Sequence, residues 1–186
     1  MSALFISKDN NPEVIQTLTD HAAIAECLGK KGVQFEAWQA GQTLADDADQ
    51  DTVMAAYQDS IDILSNKFNF SSVDVVSLRP DHPDKLAFRQ KFLAEHTHSD
   101  FEIRFFVDGS GLFYLHLDDE VYMVMCEKGD LISVPANTTH WFDMGEKPFF
   151  KCIRFFTTPD GWEGNFTGSD IATKFPSYDD MAAELA

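Results

Sequence analysis

At 186 residues the chain is long enough to bury a substantial core, and residues 1–186 are expected to form one domain. Its net charge of −17, from 31 acidic against 14 basic residues, repels phosphate backbones and anionic lipid, so no nucleic acid and no membrane is expected as a partner and a soluble monomer is favoured. Three widely separated cysteines, Cys27, Cys126 and Cys152, make no secreted disulfide framework, which points to a reducing cytoplasm, and two of them lie in apolar strand-like runs where buried, inert thiols are expected.

Residues 1–94 mix short strands with helices. Met1 to Asp9 lacks a basic stretch followed by an apolar run, so no processing is expected. Strands are predicted at Ala3 to Ser7, Val33 to Trp38 and Val73 to Leu78. Asn11-Pro12 reads as a cap and first-turn proline, predicting a helix that ends near Gly32. A second helix is predicted from Asp51 to Phe68, with Met54, Tyr57, Ile61, Leu64 and Phe68 forming an apolar stripe, and a third from Asp84 to Ala94.

From residue 95 to 160 the pattern becomes alternating strands broken by turns. Glu102 to Val107, Leu112 to Leu117, Glu120 to Cys126 and Leu131 to Val134 read as hairpins in series, the first turn being Asp108-Gly109-Ser110-Gly111. With strands at His140 to Asp143 and Phe149 to Phe156 there is enough for a small barrel or two-sheet jelly roll, giving a mainly β fold with an α/β N-terminal part. Residues 161–186 form a C-terminal extension, whose end, Ser177 to Ala186, is expected to be frayed or only loosely docked.

The chemistry concentrates in His96-Thr97-His98-Ser99-Asp100-Phe101-Glu102 and in Gly129 to His140. Strand side chains alternate faces, so His96, His98 and Glu102 can point into one cavity, with His140 arriving from a distant strand. Three imidazoles and a carboxylate, with no cysteine beside them, suit a six-coordinate first-row metal and leave two positions open; a tetrahedral zinc would be saturated. His21 and His82 read as exposed. His116 shares parity with Tyr114 and is given a structural role.

At these residues the chain resembles the cupins, whose motifs are G-x5-H-x-H-x3/4-E-x6-G and G-x5-P-x-G-x2-H-x3-N. Gln90 stands where the first motif opens with glycine, Asn137 replaces the second motif's glycine, and Met144 its asparagine. Within the cupins, Phe92 to Phe105 with Gly109-Ser110-Gly111-Leu112-Phe113, and Pro135 to Phe142, are similar to the acireductone dioxygenases of methionine salvage. The resemblance implies a cupin-type jelly-roll β-barrel that holds one Fe(II) or Ni(II) through His96, His98, Glu102 and His140. It implies cleavage of 1,2-dihydroxy-3-keto-5-methylthiopentene with O2. The Fe(II) form would give formate and 4-methylthio-2-oxobutanoate; the Ni(II) form would give carbon monoxide, formate and 3-(methylthio)propanoate.

Strand parity and this resemblance together give expectations for several further residues. Arg104 continues the parity of Glu102, so its guanidinium can enter the cavity and stabilise an enediolate. Phe92, Phe142 and Trp162 are candidates for an apolar wall around the methylthio tail, and Arg154 for a second cation, its facing left open. Glu95 is a candidate second-sphere or metal-entry acid, and Phe101 a residue coupling Glu102 to the packing behind it. Nitrogen and oxygen sites prefer Ni(II) to Fe(II) thermodynamically, so availability decides the metal. Two other readings stand beside this one: a cupin that binds or senses a small ligand without catalysis, and a different cupin enzyme such as a sugar isomerase.

Overall fold

A computed structural model describes all 186 residues. In chain order the elements are β1 (Ala3–Lys8), β2 (Asn11–Leu18), α1 (His21–Gly29), β3 (Gln34–Ala37), α2 (Gln50–Ala56), α3 (Gln58–Phe68), β4 (Ser72–Leu78) and α4 (Lys85–Leu93). There follow β5 (His96–Thr97), β6 (Glu102–Leu117), β7 (Glu120–Glu127), β8 (Asp130–Val134), β9 (Thr139–Asp143), β10 (Phe150–Phe156), β11 (Asn165–Phe166), a 3₁₀ turn (Ile171–Lys174) and α5 (Tyr178–Glu184). No helix is long and apolar enough to cross a membrane.

The strands make a jelly-roll sandwich rather than a closed barrel. One layer runs β11-β5-β9-β6-β7-β1-β2 and the other β4-β10-β6-β8-β3, so β6 serves both. The predicted turn at Asp108-Gly109-Ser110-Gly111 is therefore a bend inside one 16-residue strand, which corrects the hairpin expected there. Its first half pairs with β8 and β10, its second with β7 and β9. Glycine is required at the bend: Gly109 has φ +65°, and a Cβ there would collide with the Phe149 carbonyl oxygen.

The bend also reverses the faces of the strand. Before it, Phe106 packs between the layers while Ile103, Phe105 and Val107 face outward against Val53, Tyr57, Ile61 and Leu64. The register against β10 shifts between Lys151 and Cys152, and beyond that bulge Phe113 and Leu115 turn inward. Leu112 and Tyr114 then face outward, packed with Trp141, Ile171, Phe175 and Met181.

Three other expectations are corrected. Asn11–Leu18 is an edge strand, not a helix; Val14, Ile15 and Thr17 favour extended backbone, and Pro12 is tolerated at an edge. The helix begins at His21, where Asp20 caps it by accepting from the Ala23 N–H at 2.9 Å. The 51–68 helix is two, broken at Tyr57 (φ −115°, ψ 21°); Tyr57, Ile61 and Leu64 of its stripe are buried, Met54 and Phe68 are only partly so, and Val53 is buried in addition. The C-terminal segment is docked, not frayed: Ser177 and Asp180 form a capping box, and Met181 is buried against the outer face of a sheet.

Candidate metal centre

His96 lies directly opposite His140 across the β5–β9 pairing, and His98 follows two residues later, just past the end of β5. The three imidazoles can each offer a nitrogen within 4.8 Å of the others. Backbone carbonyls fix which nitrogen that is. The Nδ1 atoms of His96, His98 and His140 donate to the carbonyls of Ala94 (2.7 Å), Glu163 (2.8 Å) and Thr138 (2.8 Å). A carbonyl can only accept, so each neutral ring keeps its proton on Nδ1 and turns the Nε2 lone pair to the centre.

Glu102, the first residue of β6, places its carboxylate beside two of these rings. Its Oε2 lies 3.5 Å from His98 Nε2 and 3.8 Å from His140 Nε2, while Oε1 accepts from Arg104 Nε at 2.7 Å. The Nε2 atoms of His98 and His140 and Oε2 of Glu102 are buried without a hydrogen-bond partner. Leaving such atoms unpaired is costly, and a divalent cation would satisfy all of them at once. The donor set thus fits a metal ion.

The electrostatics agree with ligation. Burial pushes His140 down to about 3, with His96 nearby adding to the effect, and burial also lowers His96, so both rings are neutral at pH 7. Burial alone would raise the Glu102 carboxyl, but Arg104, His98 and Arg154 outweigh it and hold the group at about 2.

Local turns bring these side chains into place. Asp100 accepts from the backbone N–H of Phe101, Thr157 and Thr158, tying the loop between His98 and Glu102 to the segment that carries Trp162. Asn137 donates from its N–H to the His98 carbonyl at 2.8 Å and has φ +60°. That left-handed conformation explains the motif departure, because asparagine is among the few residues besides glycine that adopt it.

A cavity of about 320 Å³ opens above the imidazoles. His96, His98, Arg104, Arg154, Phe92 and Trp162 all line it. Arg104 is buried, stacks over Phe113 and Phe142, and leaves Nη1 without a partner. Phe142 does not reach the cavity surface; it lies 1% exposed beneath Arg104 and packs edge-on to Phe92. Arg154 pairs with Asp74 at 2.6 Å, a partner that nothing in the sequence spacing revealed.

The other candidates lie around this centre. Glu95 is buried and points away from the three nitrogens, accepting from Thr167 Oγ1 at 2.7 Å and lying 3.1 Å from His116 Nδ1. His116 sits in the second half of β6, where the reversed parity turns it with Tyr114 to the outer side, and it also meets Asp9. Phe101 packs among Phe68 and Phe70. His21, read as exposed, is partly buried: it stacks on Phe35 and meets Asp130 at 3.3 Å. His82, also read as exposed, is partly buried and lines the cavity with Lys91. Neither had a motif to mark it.

A family model described as the ARD/ARD' family matches residues 4–164. A protein of Methylococcus capsulatus named acireductone dioxygenase is 54% identical over 100% of both chains. Relatives of the same name from Hydrogenobaculum sp. and Alcanivorax borkumensis are 55% and 58% identical, covering 98% and 94% of this chain and 100% and 97% of their own. Among solved structures, acireductone dioxygenase from Bacillus anthracis, with a cadmium ion in its active centre, superposes with a TM-score of 0.76 at 27% identity, over 89% of this chain and 98% of that one.

Proposed function

Because the chain belongs to the ARD/ARD' family of acireductone dioxygenases, we propose that His96, His98, Glu102 and His140 hold one Fe(II) or Ni(II), and that O2-dependent cleavage of acireductone occurs in the cavity above them. The observation that carries this reading is the convergence of three locked Nε2 lone pairs and an unpaired carboxylate oxygen beneath an arginine-lined cavity. Membership of a dioxygenase family makes a purely ligand-sensing cupin or a sugar isomerase the poorer account. When bound, the metal supplies Lewis acidity and a template for the two adjacent oxygens of the substrate.

The chain's own residues supply the rest. Arg104 lines the cavity with Phe92 and keeps Nη1 without a partner, so its guanidinium can donate to a substrate oxygen that gains charge on deprotonation. Glu102 restrains that guanidinium by accepting from its Nε at 2.7 Å. Arg154, restrained by Asp74, offers a second cation on the same wall. Phe92 and Trp162 provide apolar surface for the thioether tail, and Phe142 packs edge-on against Phe92. Glu95 and Phe101 hold the flanks of the His96–Glu102 segment.

The products divide with the metal: formate and 4-methylthio-2-oxobutanoate with Fe(II), and carbon monoxide, formate and 3-(methylthio)propanoate with Ni(II). We place the enzyme in the cytoplasm, in methionine salvage, acting as a monomer. The test is reconstitution of apoprotein with either metal, followed by O2 uptake and product analysis on acireductone. Different carbon products from the two preparations are expected; no turnover from protein that holds one equivalent of either metal would overturn the assignment.

A further inference from the structure

Fifteen residues line the cavity above the imidazoles, and although the chain carries 31 acidic residues, none of the fifteen is Asp or Glu. Three of its 14 basic residues are there: Arg104, Arg154 and Lys91. Two of these already hold carboxylate partners, Arg104 with Glu102 at 2.7 Å and Arg154 with Asp74 at 2.6 Å. Lys91 is different. It stands in the last turn of α4, exposed, with neither an ion pair nor a hydrogen bond to the rest of the chain. Its neighbour on the helix, Arg89, points the other way, into Asp143.

We propose that Lys91 is the recruiting cation of this cavity, drawing the anionic substrate through the mouth toward Arg104. The inference rests on the substrate assigned above. An enediol conjugated to a ketone is a vinylogous acid, so acireductone approaches as an anion, and a chain of net charge −17 repels it at long range. That repulsion is screened beyond a Debye length of about 8 Å at physiological salt, so the sign of the charge at the mouth governs the last step of entry. Phe88, Phe92, Trp162 and Phe166 wall the opening with apolar surface, which focuses the field of an unpaired ammonium between them. A hydrated, flexible ammonium suits transient capture, and the fixed fork of Arg104 suits the final pose.

The test compares metal-loaded wild type with K91Q, K91E, K91R and K128E. Lys128 is an exposed control in the β7–β8 turn that does not line the cavity. Anaerobic stopped-flow mixing with acireductone gives association and dissociation rates at several ionic strengths, and steady-state O2 uptake gives kcat and kcat/KM. At low salt K91Q is expected to associate about threefold and K91E about tenfold more slowly than wild type, with dissociation and kcat little changed. K91R and K128E should match wild type, and the deficits should close at high salt. Equal association rates for K91E and wild type at low salt, or a deficit that persists at high salt, would overturn the role of Lys91 alone. Failure of wild type to bind acireductone at all would instead overturn the substrate reading, and this proposal with it.

Discussion

Glu102 divides its carboxylate between two neighbours, Oε1 toward Arg104 and Oε2 toward His98 and His140. Glu102→Gln keeps the shape but removes the charge and puts an amide donor against one of them. Metal affinity is expected to fall by about a hundredfold or more, seen as substoichiometric metal after dialysis and elemental analysis. Full metal content in that variant would contradict a ligand role for the carboxylate. Asn137 tests the backbone instead: Asn137→Gly should leave stability within about 0.5 kcal/mol, whereas Asn137→Ala should cost about 1 kcal/mol in denaturant unfolding, because only the latter strains at φ +60°. The grouping of His96, His98 and Glu102 was legible from alternation, even though the strand is interrupted at Ser99 and Asp100. What alternation could not reach were groups with no side-chain signature, the carbonyls of Ala94, Thr138 and Glu163 that lock the imidazoles, and partners set by distant pairing, such as Asp74.

Among the elements, β6 carries the most consequence, and its bend offers the sharpest test. Gly109→Ala adds a Cβ where the Phe149 carbonyl already stands and forces it into positive φ, so a loss of at least about 3 kcal/mol of stability is expected by chemical denaturation. A change below about 1 kcal/mol would show that β10 can yield at this point. The same element shows where local sequence signals mislead. Asp-Gly-Ser-Gly carries every mark of a hairpin turn, yet the pairing partners of β6 lie on both sides of it, in β7 to β10, and those long-range ladders override the local preference. Asn11-Pro12 misled similarly, since proline suits an edge strand as well as a helix start. The α3 stripe and the boundaries of α4 were readable because helical periodicity is local. The docking of α5 was not, because the face it covers is assembled from Leu112, Tyr114, Met123 and Trp141 on separate strands.

At the scale of the whole molecule, a shared strand couples the two layers, so thermal unfolding is expected as one transition for residues 1–186 rather than two. A metal that binds only the folded chain adds RT ln(1 + [M]/Kd), about 4 kcal/mol at a thousandfold excess over Kd. For a chain of this size that corresponds to roughly 10 °C in Tm, so chelation should lower the midpoint by about that amount and re-addition should restore it. A chelator-insensitive Tm would count against a metal held at His96, His98 and His140. The reversal of faces within β6 has a further consequence for the history of such chains. An insertion or deletion of one residue between 107 and 110 does not lengthen or shorten a loop; it turns one half of the strand inside out, exposing Phe113 and Leu115 and driving His116 inward. Length variation among descendants of this sequence should therefore be barred from that stretch and collect instead in the connections between strands.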